Sequence, residues 1–234
     1  MVKAALARIW RFVKRFEARV LIGLALAAGA LWAFLSIADE MAEGETGVVD
    51  RRIILMLREP GDLTDPVGSK NVEEAVRDIT ALGGTTLVVL VTVVSVLAFV
   101  FHKKRVHAAV MAGVMLAAWG SSQATKALYG RPRPDLVPHE AYVYSASFPS
   151  GHSTMSTAAF LTLAMLVASL EARRRSKGLA YVMAGLVVVG VGFSRVYLGV
   201  HWPTDVLAGW FLGATWALLG WIALRALNAP TRGT

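Results

Sequence analysis

Six apolar stretches limit what this chain can become, because each is near or beyond the roughly 20 residues needed to cross a hydrocarbon core about 30 Å thick. They are Val20–Ala38, Thr85–Phe101, Val106–Tyr129, Ser153–Leu170, Leu179–Val196 and Asp205–Leu227. Several carry Gly, Ala, Ser and Thr, residues that let helices approach closely in lipid. A hydrophobic content of 56% takes the chain out of the soluble class. The expected fold is all-α, an integral membrane bundle of six transmembrane helices forming a single domain over residues 1–234.

Charge sets the expected orientation. A net charge of +8 would suggest nucleic acid in a soluble protein, but here the basic residues fall in particular places. Lys3, Arg8, Arg11, Lys14, Arg15 and Arg19 precede the first span, Lys103, Lys104 and Arg105 follow the second, and Arg173, Arg174, Arg175 and Lys177 follow the fourth. Asp39, Glu40, Glu43, Glu45 and Asp50 open the first connection. By the positive-inside rule both termini and the second and fourth loops face the cytoplasm, and the first, third and fifth loops face outward. The partner implied is the bilayer, with no nucleic acid. The first span reads as a retained signal anchor in a bacterial cytoplasmic membrane, because its charged leader is too long for a cleaved signal peptide. Without cysteine there is no disulfide framework and no thiol catalysis.

Two regions outside the spans carry structure. Met1–Arg19 interleaves basic residues with Ile9, Trp10, Phe12, Val13 and Phe16, as in an amphipathic helix on the inner leaflet or a plain topogenic flank. Residues 39–84 form the longest polar connection. Within it the apolar run in Val48–Leu57 is too short to cross, Glu59–Gly68 is rich in Pro, Gly and Asp, and Asn71 with Glu74 resembles a capping box ahead of Val72, Val76 and Ile79. Two short helices on the outer surface are expected, either shielding the bundle or walling a lipid entrance.

The chemistry lies in three stretches. Arg195, His201 and Asp205 fall between the last two spans. Pro203 suits a first helical turn, so His201 and Asp205, four residues apart, share one face. A carboxylate beside an imidazole fixes the tautomer and leaves the other nitrogen free as base or nucleophile. Arg195 can offer a planar fork to an oxyanion; the plain alternative is a helix-end His and Asp with a snorkelling Arg. Lys126 sits near the outer end of the third span, where a lysine marks function unless it snorkels. Gly130-Arg131-Pro132-Arg133-Pro134 cannot continue that helix and holds two guanidinium groups close to it. Finally, Pro149-Ser150-Gly151-His152 opens the fourth span, presenting free N–H groups and the positive dipole end to an anion. His152 sits where a general acid would be needed, though a histidine at such a place is, taken alone, more often an interfacial helix-start residue than a catalyst. All three stretches lie at outer span ends, so topology groups them.

Lys126 through Arg133-Pro134 fits Lys-x6-Arg-Pro, residues 149–152 fit Pro-Ser-Gly-His, and Ser194-Arg195 through His201 to Asp205 fits Ser-Arg-x5-His-x3-Asp. In this the chain resembles the type 2 phosphatidic acid phosphatase superfamily, whose soluble relatives include bacterial acid phosphatases and vanadium haloperoxidases. The resemblance covers Lys126 to Asp205 by motif, with no departure at the motif positions. It implies a membrane lipid phosphate phosphatase working without metal or cofactor. His201 would form a phosphohistidine, Asp205 would orient it, and His152 would protonate the leaving oxygen and then activate water. Lys126, Arg133, Ser150, Gly151 and Arg195 would bind the phosphate. Arg131 lies outside the motif spacing and contacts a headgroup or nothing. The substrate stays open among phosphatidic acid, phosphatidylglycerol phosphate, undecaprenyl diphosphate and lipid A. An anion transporter would call for mid-membrane broken helices or inverted repeats, which the sequence lacks. A non-catalytic lipid-binding relative would be expected to lack His152 or His201.

Overall fold

The computed structural model describes residues 18–137 and 145–228. The expected amphipathic segment Met1–Arg19 therefore lies outside the described residues, except for its last two positions. The described elements are helices α1 (Ala18–Ala42) and α2 (Gly47–Leu55), strands β1 (Arg58–Glu59) and β2 (Asp62–Pro66), then α3 (Lys70–Ala81), α4 (Thr85–Phe101), α5 (Arg105–Tyr129), α6 (Gly151–Leu170), α7 (Arg174–Tyr197) and α8 (Pro203–Leu227).

Four of these, α1, α6, α7 and α8, are individually long and apolar enough to cross a membrane. Helices α3 and α4 meet at a bend of 46° and together qualify as a fifth. The 25-residue α5 falls short because His107 and the run Ser121-Ser122-Gln123 dilute its apolar length. The expectation of six equivalent spans is thus met in part: an integral membrane, mainly helical protein with four or five plain spans. Polarity along α5 is the physical reason for the shortfall, and Ser122 and Gln123 near its C-terminal end line a groove described below.

The connection between α1 and α4 holds the two expected short helices, with differences. The first span continues to Ala42, taking in Asp39 and Glu40. The Pro/Gly/Asp stretch folds back as a two-stranded antiparallel hairpin, with Arg58 opposite Pro66 and Glu59 opposite Asp62. Helix α3 starts from Ser69 instead of Asn71, so the expected capping box does not form. Of its expected apolar stripe only Val76 is buried, packing with Tyr197, Leu198 and Val200, while Val72 and Ile79 stay exposed.

Helix α8 is the axis of the bundle and packs on α1, α5, α6 and α7. Against α6 the backbones approach closely, because Gly209 and Gly213 lie one turn apart on the facing surface. A Cβ on Gly209 would fall 2.9 Å from the Ser150 carbonyl oxygen, and one on Gly213 would fall 2.6 Å from that of Thr154. Small residues spaced by four are the usual means of such approach where lipid supplies no hydrophobic drive between helices. This brings the N-termini of α6 and α8 together, and the Ser150 N–H donates to the Asp205 carbonyl at 2.9 Å. One apolar cluster (Val88, Met111, Val114, Ala158, Leu166, Leu224) ties α4, α5, α6 and α8 together. A second sets Phe34 of α1 against Phe148, their ring centres 6.0 Å apart.

The glycine contact gives a direct test. Gly213→Val should force α6 and α8 apart at a cost of about 1–3 kcal/mol or more, lowering the melting midpoint in fluorescence-detected size exclusion. Gly113→Ala, where nothing lies within 4 Å of the added carbon, should leave the midpoint unchanged. Equal midpoints for the two variants would refute the close-packing account.

Candidate active site

Each motif residue sits where an element begins or ends. Lys126 occupies the last turn of α5, which Gly130 terminates in the left-handed conformation (φ 56°) that favours glycine. The segment after it is extended and carries Arg131 and Arg133. Ser150 is the N-cap of α6, and Gly151 and His152 are its first residues. Arg195 lies in the last turn of α7, His201 in the short link after it, and Asp205 in the first turn of α8.

Six of the eight expected residues, Lys126, Arg133, Gly151, His152, Arg195 and His201, line one groove of about 880 Å³. Asp205 stands behind His201, buried completely. Its Oδ2 lies 3.3 Å from His201 Nδ1, while Arg133 Nη1 lies 3.1 Å from His201 Nε2. A proton on Nδ1, shared with the carboxylate, leaves the Nε2 lone pair on the groove side, where it accepts from Arg133. Arg133 also donates to the Val200 carbonyl at 2.7 Å and to the Ser145 carbonyl at 3.0 Å, which fixes its fork beside the imidazole. Lys126 Nζ donates to the Ala146 carbonyl at 2.5 Å. Arg195 donates to Thr80 Oγ1 at 2.9 Å, and its Nε is buried without a partner among the described residues. Three cations thus line the groove together with His201, and an unpartnered buried guanidinium N–H is the kind of group an anion would satisfy.

Ser150 differs from expectation. Its N–H is taken by the Asp205 carbonyl and its hydroxyl accepts from Ser153, so neither faces the groove. The open donors at this helix start are instead the amides of Gly151 and His152, for which α6 provides no acceptor. Three contributors escaped the sequence reading. The Ser147 hydroxyl donates to Asp205 Oδ2. Thr80 of α3 braces Arg195. Arg131 donates to Asp205 Oδ1 at 2.6 Å and to Asp50 Oδ2 at 2.8 Å. A motif spacing could single out Arg133, but no pattern in the sequence links residue 131 to residue 50. Among the described residues no three His, Asp or Glu side chains gather as a metal site would require.

Away from the cations the groove runs between α4 and α5, lined by Val88, Val93, Val96, Met115, Leu116 and Trp119. A polar, cationic end opening onto an apolar channel at membrane depth suits an amphiphile with an anionic head.

Burial holds the His201 imidazole well below the usual histidine range, outweighing the upward pull of Asp205. The folded state therefore favours the neutral ring, and the sign follows. This contribution to stability is complete above pH about 6.5 and declines as the pH falls, because the unfolded chain takes up the proton first. In ¹⁵N-histidine-labelled protein the His201 resonances should keep neutral-imidazole shifts from pH 8 to pH 5. A midpoint near 6.5 would contradict the assignment.

Comparison with known proteins gives a consistent picture. The family model of the PAP2 superfamily matches residues 84–229. Phosphatidylglycerophosphatase B of Bacillus subtilis (strain 168) is 36% identical over 145 residues, covering 61% of this chain and 70% of that protein. An undecaprenyl-diphosphatase of Sulfolobus acidocaldarius is 33% identical over 87 residues, 37% of this chain and 35% of that one. The crystal structure of a transmembrane PAP2 type phosphatidylglycerolphosphate phosphatase from Bacillus subtilis superposes with a TM-score of 0.71 at 29% identity, covering 83% of this chain and 93% of that one.

Proposed function

The chain belongs to the PAP2 superfamily and is a membrane lipid phosphatase, and from that premise we propose that it hydrolyses the terminal phosphate of a glycerophospholipid phosphomonoester through a phosphohistidine at His201. The observation carrying this reading is the course of the groove: an apolar channel between α4 and α5 ends at His201 Nε2 amid Lys126, Arg133 and Arg195. A tail lying in the channel would bring its phosphate to the cations and keep the lipid within the membrane plane.

In this mechanism Nε2 of neutral His201 attacks phosphorus in line with the leaving oxygen, and Asp205 stabilises the imidazolium that develops. Arg133, Arg195 and Lys126, with the amides of Gly151 and His152, neutralise the non-bridging oxygens as charge spreads over them. Ser150 serves by capping α6 and fixing those amides. His152, whose side chain lines the groove without a hydrogen-bond partner among the described residues, protonates the departing alkoxide. It then takes a proton from the water that attacks the phosphohistidine. Cationic side chains do the charge neutralisation, so the reaction is expected to proceed with chelator present.

The same reading extends to topology. With α4 and α5 each counted as a span beside α1, α6, α7 and α8, six crossings put both termini in the cytoplasm and the site at the outer face of a bacterial inner membrane. The basic loops at 103–105 and 173–177 support this orientation. The domain is then a single unit, with residues 39–84 outside the membrane and residues 126–205 holding the chemistry. A second substrate, polyprenyl diphosphate, is favoured by the match to an undecaprenyl-diphosphatase over a shorter segment.

Detergent-purified protein with EDTA present should release phosphate from phosphatidylglycerol phosphate or phosphatidic acid. His201→Ala should lower the rate at least 10³-fold, on the order of that for removing a catalytic nucleophile. Release from undecaprenyl diphosphate alone would select the second reading. Undiminished release by His201→Ala would overturn the mechanism.

A further inference from the structure

Arg131 and Asp50 are used by none of the steps above, yet both are tightly built into the centre. The Arg131 fork divides its two terminal nitrogens between two carboxylates, Nη1 to Asp205 Oδ1 at 2.6 Å and Nη2 to Asp50 Oδ2 at 2.8 Å. Its Cζ lies 5.4 Å from the centre of the Trp202 ring, and Thr46 and Thr204 hydroxyls complete its contacts. Asp50, on loop helix α2, is fully buried. It also accepts from the Thr204 N–H at 3.0 Å and the Thr204 hydroxyl at 2.7 Å, so it caps α8 one residue before Asp205.

The two oxygens of Asp205 have separate tasks. Oδ2 faces His201 Nδ1, the Ser147 hydroxyl and the Trp202 N–H. Oδ1 is held by Arg131. A carboxylate gripped on one oxygen by a planar fork cannot rotate about its Cβ–Cγ bond, so Oδ2 stays aimed at the imidazole. The fork in turn is held in plane by its second carboxylate. Charges alternate along the row: Asp50 negative, Arg131 positive, Asp205 negative. With Asp50 present, Arg131 is shared, and Asp205 keeps most of its negative potential for the imidazolium. Without Asp50 the whole guanidinium charge falls on Asp205 and weakens it as a partner for phosphorylated His201.

We propose that Arg131 and Asp50 form a positioning relay that orients Asp205 and sets its electrostatic hold on His201, making loop helix α2 a working part of the catalytic centre. This rests on His201 being the nucleophile. Neither relay residue lines the groove, so the relay acts on turnover and not on lipid binding. The usual cost of losing an outer partner of a catalytic group is about 10–100-fold in activity.

The test compares wild type, Asp50→Asn, Arg131→Gln, the double variant and His201→Ala on dioctanoyl phosphatidic acid in detergent micelles, each first checked for a monodisperse peak and its melting midpoint. Asp50→Asn should lower kcat about tenfold or more, with KM within twofold of wild type. Arg131→Gln should lower kcat further, and the double variant should match Arg131→Gln within twofold, since Asn keeps an acceptor oxygen for Thr204 and the relay from residue 50 runs through Arg131. Wild-type kcat in Asp50→Asn, a rise confined to KM, or full additivity in the double variant would overturn the relay. Should the neutral variants fail to fold, Arg131→Lys keeps the buried charge balance but cannot bridge two carboxylates through one fork. It should lose kcat at unchanged KM, and wild-type turnover would overturn the relay. An active His201→Ala would sink the nucleophile reading itself, whereas an inactive His201→Ala beside a fully active Asp50→Asn would sink only the relay.

Discussion

The carboxylate of Asp205 is the interaction on which this structure turns. A buried charge costs several kcal/mol unless its lone pairs are met by donors and cations. Here Oδ2 takes up His201, Ser147 and the Trp202 N–H, Oδ1 takes up Arg131, and the residue's own carbonyl accepts from Ser150. These partners come from the segment between α5 and α6, the cap of α6 and the α7–α8 link. Satisfying one buried anion thus gathers the ends of the helices that carry the chemistry. Removing any one donor leaves a charge under-compensated at a point where water cannot repair it.

The glycine seam between α6 and α8 is what makes that gathering possible. If Gly209 and Gly213 held the helices farther apart, Ser150 could not reach the Asp205 carbonyl, and the amides of Gly151 and His152 would point elsewhere. Packing at the centre of the bundle and electrostatics at the end that carries the site are therefore one problem. Along α5 the compromise is visible in sequence: its last turns give up apolarity so that Lys126 and its polar neighbours can face a groove that begins between hydrocarbon-lined helices.

Much of this was legible beforehand. Motif spacing and span ends together grouped Lys126, Arg133, Gly151, His152, Arg195, His201 and Asp205, since local order and a membrane leave few ways to arrange them. Ser150 was assigned to the ligand because a helix N-cap offers N–H groups, but its own amide is spent on α8. Arg131 was left without a task because its partner Asp50 is 81 residues away, in a polar connection with no periodicity linking the two. Thr80, 115 residues from Arg195, escaped for the same reason. The hairpin between Arg58 and Pro66 was hidden by a composition that says turn without saying which strands it joins. The count of spans blurred where function put polar residues inside a helix, at the end of α5.

The central claim is covalent catalysis at His201, and the most direct measurement is trapping the intermediate. Protein mixed with excess short-chain phosphatidic acid should be quenched in alkali, where phosphohistidine survives, within a single turnover. Peptide mass spectrometry should then find one added phosphoryl group on the fragment bearing His201, absent from His201→Ala and lost on acid treatment. Continued phosphate release with no phosphorylated histidine at any quench time, or a phosphoryl group on another residue, would contradict the account.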